Sequence, residues 1–197
     1  PESADDHRAT QLHHVQGRHP VVGHSLGVAV LEVSISTEVE IEGDHPVGGV
    51  TVFREEWPAA GTASSLRNKI AVDLAGIAAE EMILGGGSQG AGGMPGSDLH
   101  SATVTAAALE LSFGLGSRKS FLSLAQPDDL LNAVRGDWRL ADRVEAVLEA
   151  ESERARSVIQ ENVDVLQRLA GSLVETDRIV LPHLLSILQD EEPRLCG

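Results

Sequence analysis

The sequence predicts a mainly α-helical fold that carries a small antiparallel β-sheet, and three observations predict it. "TASSLRNKIAVDLAGIAAEEMIL" places Leu66, Ile70, Leu74, Ile77, Ala78 and Met82 at intervals of three and four, the period of a helix with a buried face. Residues 138 to 171 keep Leu140, Val144, Val147, Leu148, Ala155, Ile159, Leu166 and Leu169 in phase over a longer span. "LEVSISTEVEI" instead alternates Val33, Ile35, Thr37, Val39 and Ile41 against polar neighbours, and "VGGVTVF" follows the "GDHP" punctuation, the pattern of two short paired strands.

Taken in order, residues 1–11 ("PESADDHRATQ") are polar, carry no apolar period and read as a disordered or weakly docked arm. Residues 12–190 hold the domain and 191–197 a tail. Small and aliphatic residues from Val21 to Val30 predict a helix that passes into the first strand, and residues 33 to 53 the small sheet. The helix over "TASSLRN…MIL" has Thr62 or Ser64 available as N-cap and Gly85 as its stop. A glycine-rich loop, "GGGSQGAGGMPGSD", leads to a helix from about Asp98 to Leu111, which "FGLGS" ends. The segment around "QPDD" reads as loose, residues 138 to 171 as one long helical stretch with Glu and Arg spaced to pair along its polar face, and "LPHLLSILQ" as a last short helix.

Composition narrows the function. Of the 197 residues, 42% are hydrophobic, enough for one substantial core. Acidic residues outnumber basic ones 30 to 15 and the basic ones are scattered, so the field of the chain would repel a phosphate backbone and nucleic acid is not an expected partner. No membrane span or signal peptide is visible. The single cysteine, Cys196, excludes an intrachain disulfide and a cysteine-built metal cage, which fits a reducing, cytoplasmic location. The glycine-rich loop is not a nucleotide site: "SDLHSAT" follows it, with an aspartate at the helix start where a phosphate loop needs Gly-Lys-Ser/Thr.

"HHVQGRHPVVGHSLG" puts four histidines, His13, His14, His19 and His24, within twelve positions, yet no H-E-x-x-H occurs. "GGVTVF", "LRNKIAVDLAGIAAEEMILG" and "GSDLHSAT", in that order and spacing, resemble the peptidase domain of the FtsH family of ATP-dependent zinc proteases. "RVEAVLEAESERARSVIQENVDVLQRLAGSLVE" resembles the long helical hairpin that closes that domain. The resemblance covers roughly residues 19 to 188 and stops abruptly before His19, where "RATQLHHVQGR" matches nothing of the pattern.

The resemblance implies a zinc ion held by two histidines of an H-E-x-x-H helix and a distant aspartate, with the glutamate as general base. Four residues advance a helix by ~400°, so both imidazoles face one side about a turn apart. Carried over, the second zinc histidine is His19 and the aspartate ligand is Asp98. The first half departs from the pattern: Val15 stands at the first histidine and Gln16 at the general base. Valine has no lone pair for a metal, and neutral glutamine takes no proton from water. His14 is the remaining candidate for the missing ligand, but five residues on a helix leave it about 140° from His19 unless the helix is distorted, as Gly17 and Pro20 allow. His7, His13, His45, His100 and His183 are read as surface histidines.

Two functions follow from the resemblance. One is a zinc endopeptidase domain acting on polypeptides. The other is a catalytically inactive pseudo-peptidase that binds or assembles with partner proteins. In both, the edge near residues 48 to 53 would receive an extended peptide. The resemblance also implies a homo-oligomer, a six-membered ring in the family, and an ATPase module supplied by another chain.

Overall fold

A computed structural model describes residues 18–42, 45–53, 61–84, 94–119, 121 and 126–189. In chain order its elements are α1 (Arg18–Ser25), β1 (Val30–Glu42), β2 (His45–Phe53), α2 (Ala63–Leu84) and α3 (Asp98–Leu111). They continue with α4 (Pro127–Gly136), α5 (Trp138–Glu161), α6 (Val163–Thr176), β3 (Arg178–Val180) and α7 (His183–Leu188). The fold is mainly helical with a small antiparallel sheet, as the periodicities predict. Two compact units divide the chain, residues 1–55 with 158–197, and residues 56–157.

In the first unit, α1 stops where Gly27 turns to φ +78°. Gly27 N–H then donates to His24 C=O at 3.0 Å and Val28 N–H to Gly23 C=O at 2.8 Å, so the last carbonyls of the helix are satisfied by a Schellman-type stop. The sheet has the order β2-β1-β3, all antiparallel. Val33 sits opposite Thr51 on one side and Ile179 on the other, and Val30, Val33 and Ile179 are buried. A Cβ added at Gly23 would lie 2.7 Å from the Phe53 ring, so α1 approaches the end of β2 as closely as it does only because residue 23 has no side chain. Leu166, Leu169, Ala170 and Leu173 of α6 and Leu184, Ile187 and Leu188 of α7 bury their apolar faces.

In the second unit, Thr62 caps α2 reciprocally. Ser65 N–H donates to Thr62 Oγ1 at 3.1 Å, and Thr62 N–H donates to Ser65 Oγ at 2.8 Å, a capping box with serine in place of the usual Glu or Gln. Thr62→Ala should cost about 1 kcal/mol in urea unfolding, and Ser64→Ala, one position into the helix, much less. Ile70, Leu74, Ala102, Ala106, Ala107, Leu130, Leu140, Val144 and Val147 form one core cluster. The alanines let α2 and α3 approach closely, whereas Met82, in phase by sequence, is 36% exposed.

One reading from periodicity and two further expectations are corrected. The stretch 138 to 171, a single run by its apolar phase, is two helices, as the resemblance to a helical hairpin implies, broken at Asn162, whose Nδ2 donates to Val158 C=O at 2.8 Å. Side-chain competition for the carbonyl four residues back is local, and the apolar phase runs on unbroken from Ile159 to Leu166, so periodicity conceals the break. The "QPDD" segment is helical: Pro127 opens α4, with Asp128 and Asp129 in its first turn and Arg135 in its last, all favourable to the helix dipole. The sheet gains β3, whose three residues are too few to show alternation. Gly85 and residues 1–17 lie outside the described residues, so the expected stop at Gly85, the arm, His7, His13, His14, Val15 and Gln16 do too.

Candidate functional site

His19 is the second residue of α1. It is half-buried, its Nε2 is withdrawn from solvent, and Arg18 and Pro20–Gly23 around it in the helix are buried. His24 is also half-buried.

Asp98 is the first residue of α3. "MPGS" presents it: Pro95 sets φ for the second position of a turn, Gly96 takes φ +87° at the third, and Ser97 N–H closes the turn on Met94 C=O at 3.1 Å. Ser97 is then the N-cap, its Oγ accepting from His100 N–H at 3.3 Å. A carboxylate in this first turn is favoured by the helix dipole, and Asp98 is half-buried there.

Beside this turn stands a cluster that the sequence reading missed. Lys69 of α2 donates to Asp73 Oδ2 at 2.5 Å and to Ser101 Oγ at 2.6 Å. Burial pushes the Asp73 carboxyl above the usual carboxylate range; Lys69 and Ser101 oppose that rise, and the charge of Asp98 adds to it. The only signal in the sequence was the i, i+4 spacing of Lys69 and Asp73, which ordinarily marks a solvated helix face.

His19 belongs to the first unit and Asp98 to the second. Of the other histidines read as surface, His183 is exposed, His100 is half-buried and His45 opens β2. Among the described residues, no three His, Cys, Asp or Glu side chains gather as a metal-holding group. β2 pairs with β1 and, among the described residues, with no strand on its other side, so residues 48 to 53 lie on a sheet edge.

The family model of peptidase family M41 matches residues 22–187, a span that takes in the sheet, α2, the turn that presents Asp98 and both C-terminal helices. The chain belongs to peptidase family M41. The M41 match begins three residues after His19. Among similar proteins, the ATP-dependent zinc metalloprotease FtsH of Mycobacterium tuberculosis H37Rv is 28% identical over 185 residues, covering 87% of this chain and 24% of that protein. FtsH 2 of Sphaerobacter thermophilus is 29% identical over 176 residues, covering 87% and 25%. FtsH 3 of Petrotoga mobilis is 27% identical over 208 residues, covering 93% and 31%. The chain therefore spans about a quarter to a third of the length of the curated relatives it matches. The resemblance read from the sequence blocks is borne out, and this is a protease-type domain. No helix among the described residues is long and apolar enough to cross a membrane.

Proposed function

We propose that this chain is a zinc metalloendopeptidase-type domain whose motif is impaired as written. The observation that carries the reading is the M41 match over a span in which Asp98 is held in the capped first turn of a helix. An imidazole and a carboxylate are donor types that zinc takes, so His19 and Asp98 match the ion in donor chemistry. His19 and Asp98 would hold it, with His14 as the third ligand. When bound, zinc supplies a Lewis acid for the scissile carbonyl. Gln16, at the general-base position, accepts no proton from water, and that is the step at which the chain is weakest. The β2 edge would hold an extended polypeptide by backbone pairing.

Relatives named as ATP-dependent proteases support the further proposal that an ATPase module on another chain works with this domain. That it does so in the cytoplasm and as a homo-oligomer are proposals that rest on the family resemblance alone. Light scattering at the 20.8 kDa of one chain would reject the oligomer for the domain alone. A second reading, a pseudo-peptidase that binds polypeptides without cutting them, is favoured by Val15 and Gln16 standing where a ligand and a base are required. Elemental analysis of protein purified without a histidine tag tests the first reading. About one zinc per chain in the parent and much less in Asp98→Ala is expected, and no zinc in either would leave the binding module.

A further inference from the structure

Lys69 lies where α2 packs against the first turn of α3, and its ammonium is held from two sides. Asp73, one turn further along α2, takes it at 2.5 Å, and Ser101 Oγ on α3 takes it at 2.6 Å. Ser101 follows Asp98 by three residues, so the two stand on one face of α3 about a turn apart. Ser101 N–H in turn donates to the C=O of the cap residue Ser97 at 2.9 Å, so whatever fixes Ser101 fixes the turn that bears Asp98. The neighbouring positions of α3 that are buried, Ala102, Ala106 and Ala107, are alanines with nothing to hold a register but packing. A lysine in half-buried surroundings, with a carboxylate to hold its charge and a hydroxyl to receive its second donor, is a directed tether beside these packed alanines.

We propose that Lys69 is a positioning residue for Asp98: with Asp73 as its counter-charge and Ser101 as its anchor, it locks the first turn of α3 and so aims the Asp98 carboxylate. The ammonium also offsets the repulsion between the Asp73 and Asp98 carboxylates, whose charges sense one another. Without it, the first turn of α3 loses its tether to α2 and the aim of the Asp98 carboxylate loosens. This rests on the reading of Asp98 as a zinc ligand.

The test is zinc affinity, measured by competition with a chromophoric chelator on the full chain, for the parent, Asp98→Ala, Lys69→Met/Asp73→Leu, Lys69→Arg and Ser101→Ala. Removing Lys69 and Asp73 together leaves no lone charge behind, so urea stability should stay near that of the parent. Its zinc affinity should fall about 10-fold, the low end of the effect of losing a direct hydrogen-bond partner of a metal ligand, because Lys69 acts on Asp98 through Ser101. Lys69→Arg, which keeps a donor for both partners, should restore most of the loss. Ser101→Ala removes the anchor alone and should weaken zinc in the same direction, which decides the matter should the double variant prove unstable. Loss in Asp98→Ala with none in the Lys69 and Ser101 variants overturns the role of Lys69 alone. Binding in Asp98→Ala as tight as in the parent, or none in the parent, overturns the ligand reading and the role of Lys69 with it.

Discussion

Arg143→Leu should cost the second unit about 3 kcal/mol at pH 7, the low end for breaking a buried ion pair from one side. Its partner Glu110, near the end of α3, is 2% exposed. Arg143 Nε donates to Glu110 Oε2 at 3.1 Å, Ser117 Oγ donates to the same oxygen at 2.7 Å, and Ser117 N–H donates to Oε1 at 2.8 Å. The segment after α3 folds back over this carboxylate so tightly that a Cβ at Gly116 would collide with Glu110 Oε1 and lie 2.9 Å from Glu110 Cα. Glu110 therefore pins the turn that closes the helix, and the cost of stranding its charge is softened only by the two Ser117 donors.

The pH dependence separates charge from packing. Burial pushes the Glu110 carboxyl up, but the Ser117 hydrogen bonds and Arg143 outweigh it, and the net result is a value below the ordinary 4.5. A depressed folded value means that ionised Glu110 stabilises the fold above about pH 4.5, the value of the unfolded chain, and that this contribution is lost as pH falls through the depressed value. In Arg143→Leu one of the opposing influences is gone and burial counts for more. The penalty should be largest at pH 7 and shrink as the medium is acidified below about pH 4.5. Urea melts of both proteins at pH 7 and pH 4 measure it, and an equal loss at both would assign the effect to lost packing of the arginine stem.

How far the sequence reveals this molecule depends on the range of the interaction concerned. The bounds of α3 are legible because its signals are local: Ser97 and Asp98 cap its start, and Gly114, at φ +61°, follows its end. The Thr62 cap is legible for the same reason. β3 is not, since Ile179 becomes a strand residue only by pairing with Val33, 146 residues away. Lys69 and Asp73 show an ordinary helix pair, and nothing in their spacing places Ser101 beneath the ammonium, because packing of α2 on α3 does that. Neither His19 nor Asp98 was singled out by periodicity or charge. Both were read from the resemblance, and the structure adds how each is held: His19 by a helix with a glycine stop, Asp98 by a proline-glycine turn and a serine cap.

Val15→His together with Gln16→Glu should convert this chain into a chelator-sensitive peptidase, raising hydrolysis of an unstructured fluorogenic peptide at least about 100-fold over the parent, since a positioned general base contributes about 10² to 10⁴. The two substitutions write H-E-x-x-H across residues 15 to 19 with His19 as its second histidine. Spacing gives each a separate role. On the helical motif that the resemblance implies, a histidine at 15 would stand ~400° before His19 and face the same side, whereas His14 would stand about 140° away. Val15→His alone should therefore tighten zinc binding with little hydrolysis, because glutamine still takes no proton. Gln16→Glu alone should leave affinity near that of the parent, because a general base supplies no missing ligand. Such a division, affinity from one residue and rate from the other, is the signature of a ligand and a base acting in one site. A parent that already hydrolyses the peptide at the rate of the double variant would end the reading of impairment and direct attention to another base. Tight zinc binding in the double variant without hydrolysis would show that the register built on His19 binds metal but lacks the geometry for attack, which leaves the pseudo-peptidase as the better account of the chain.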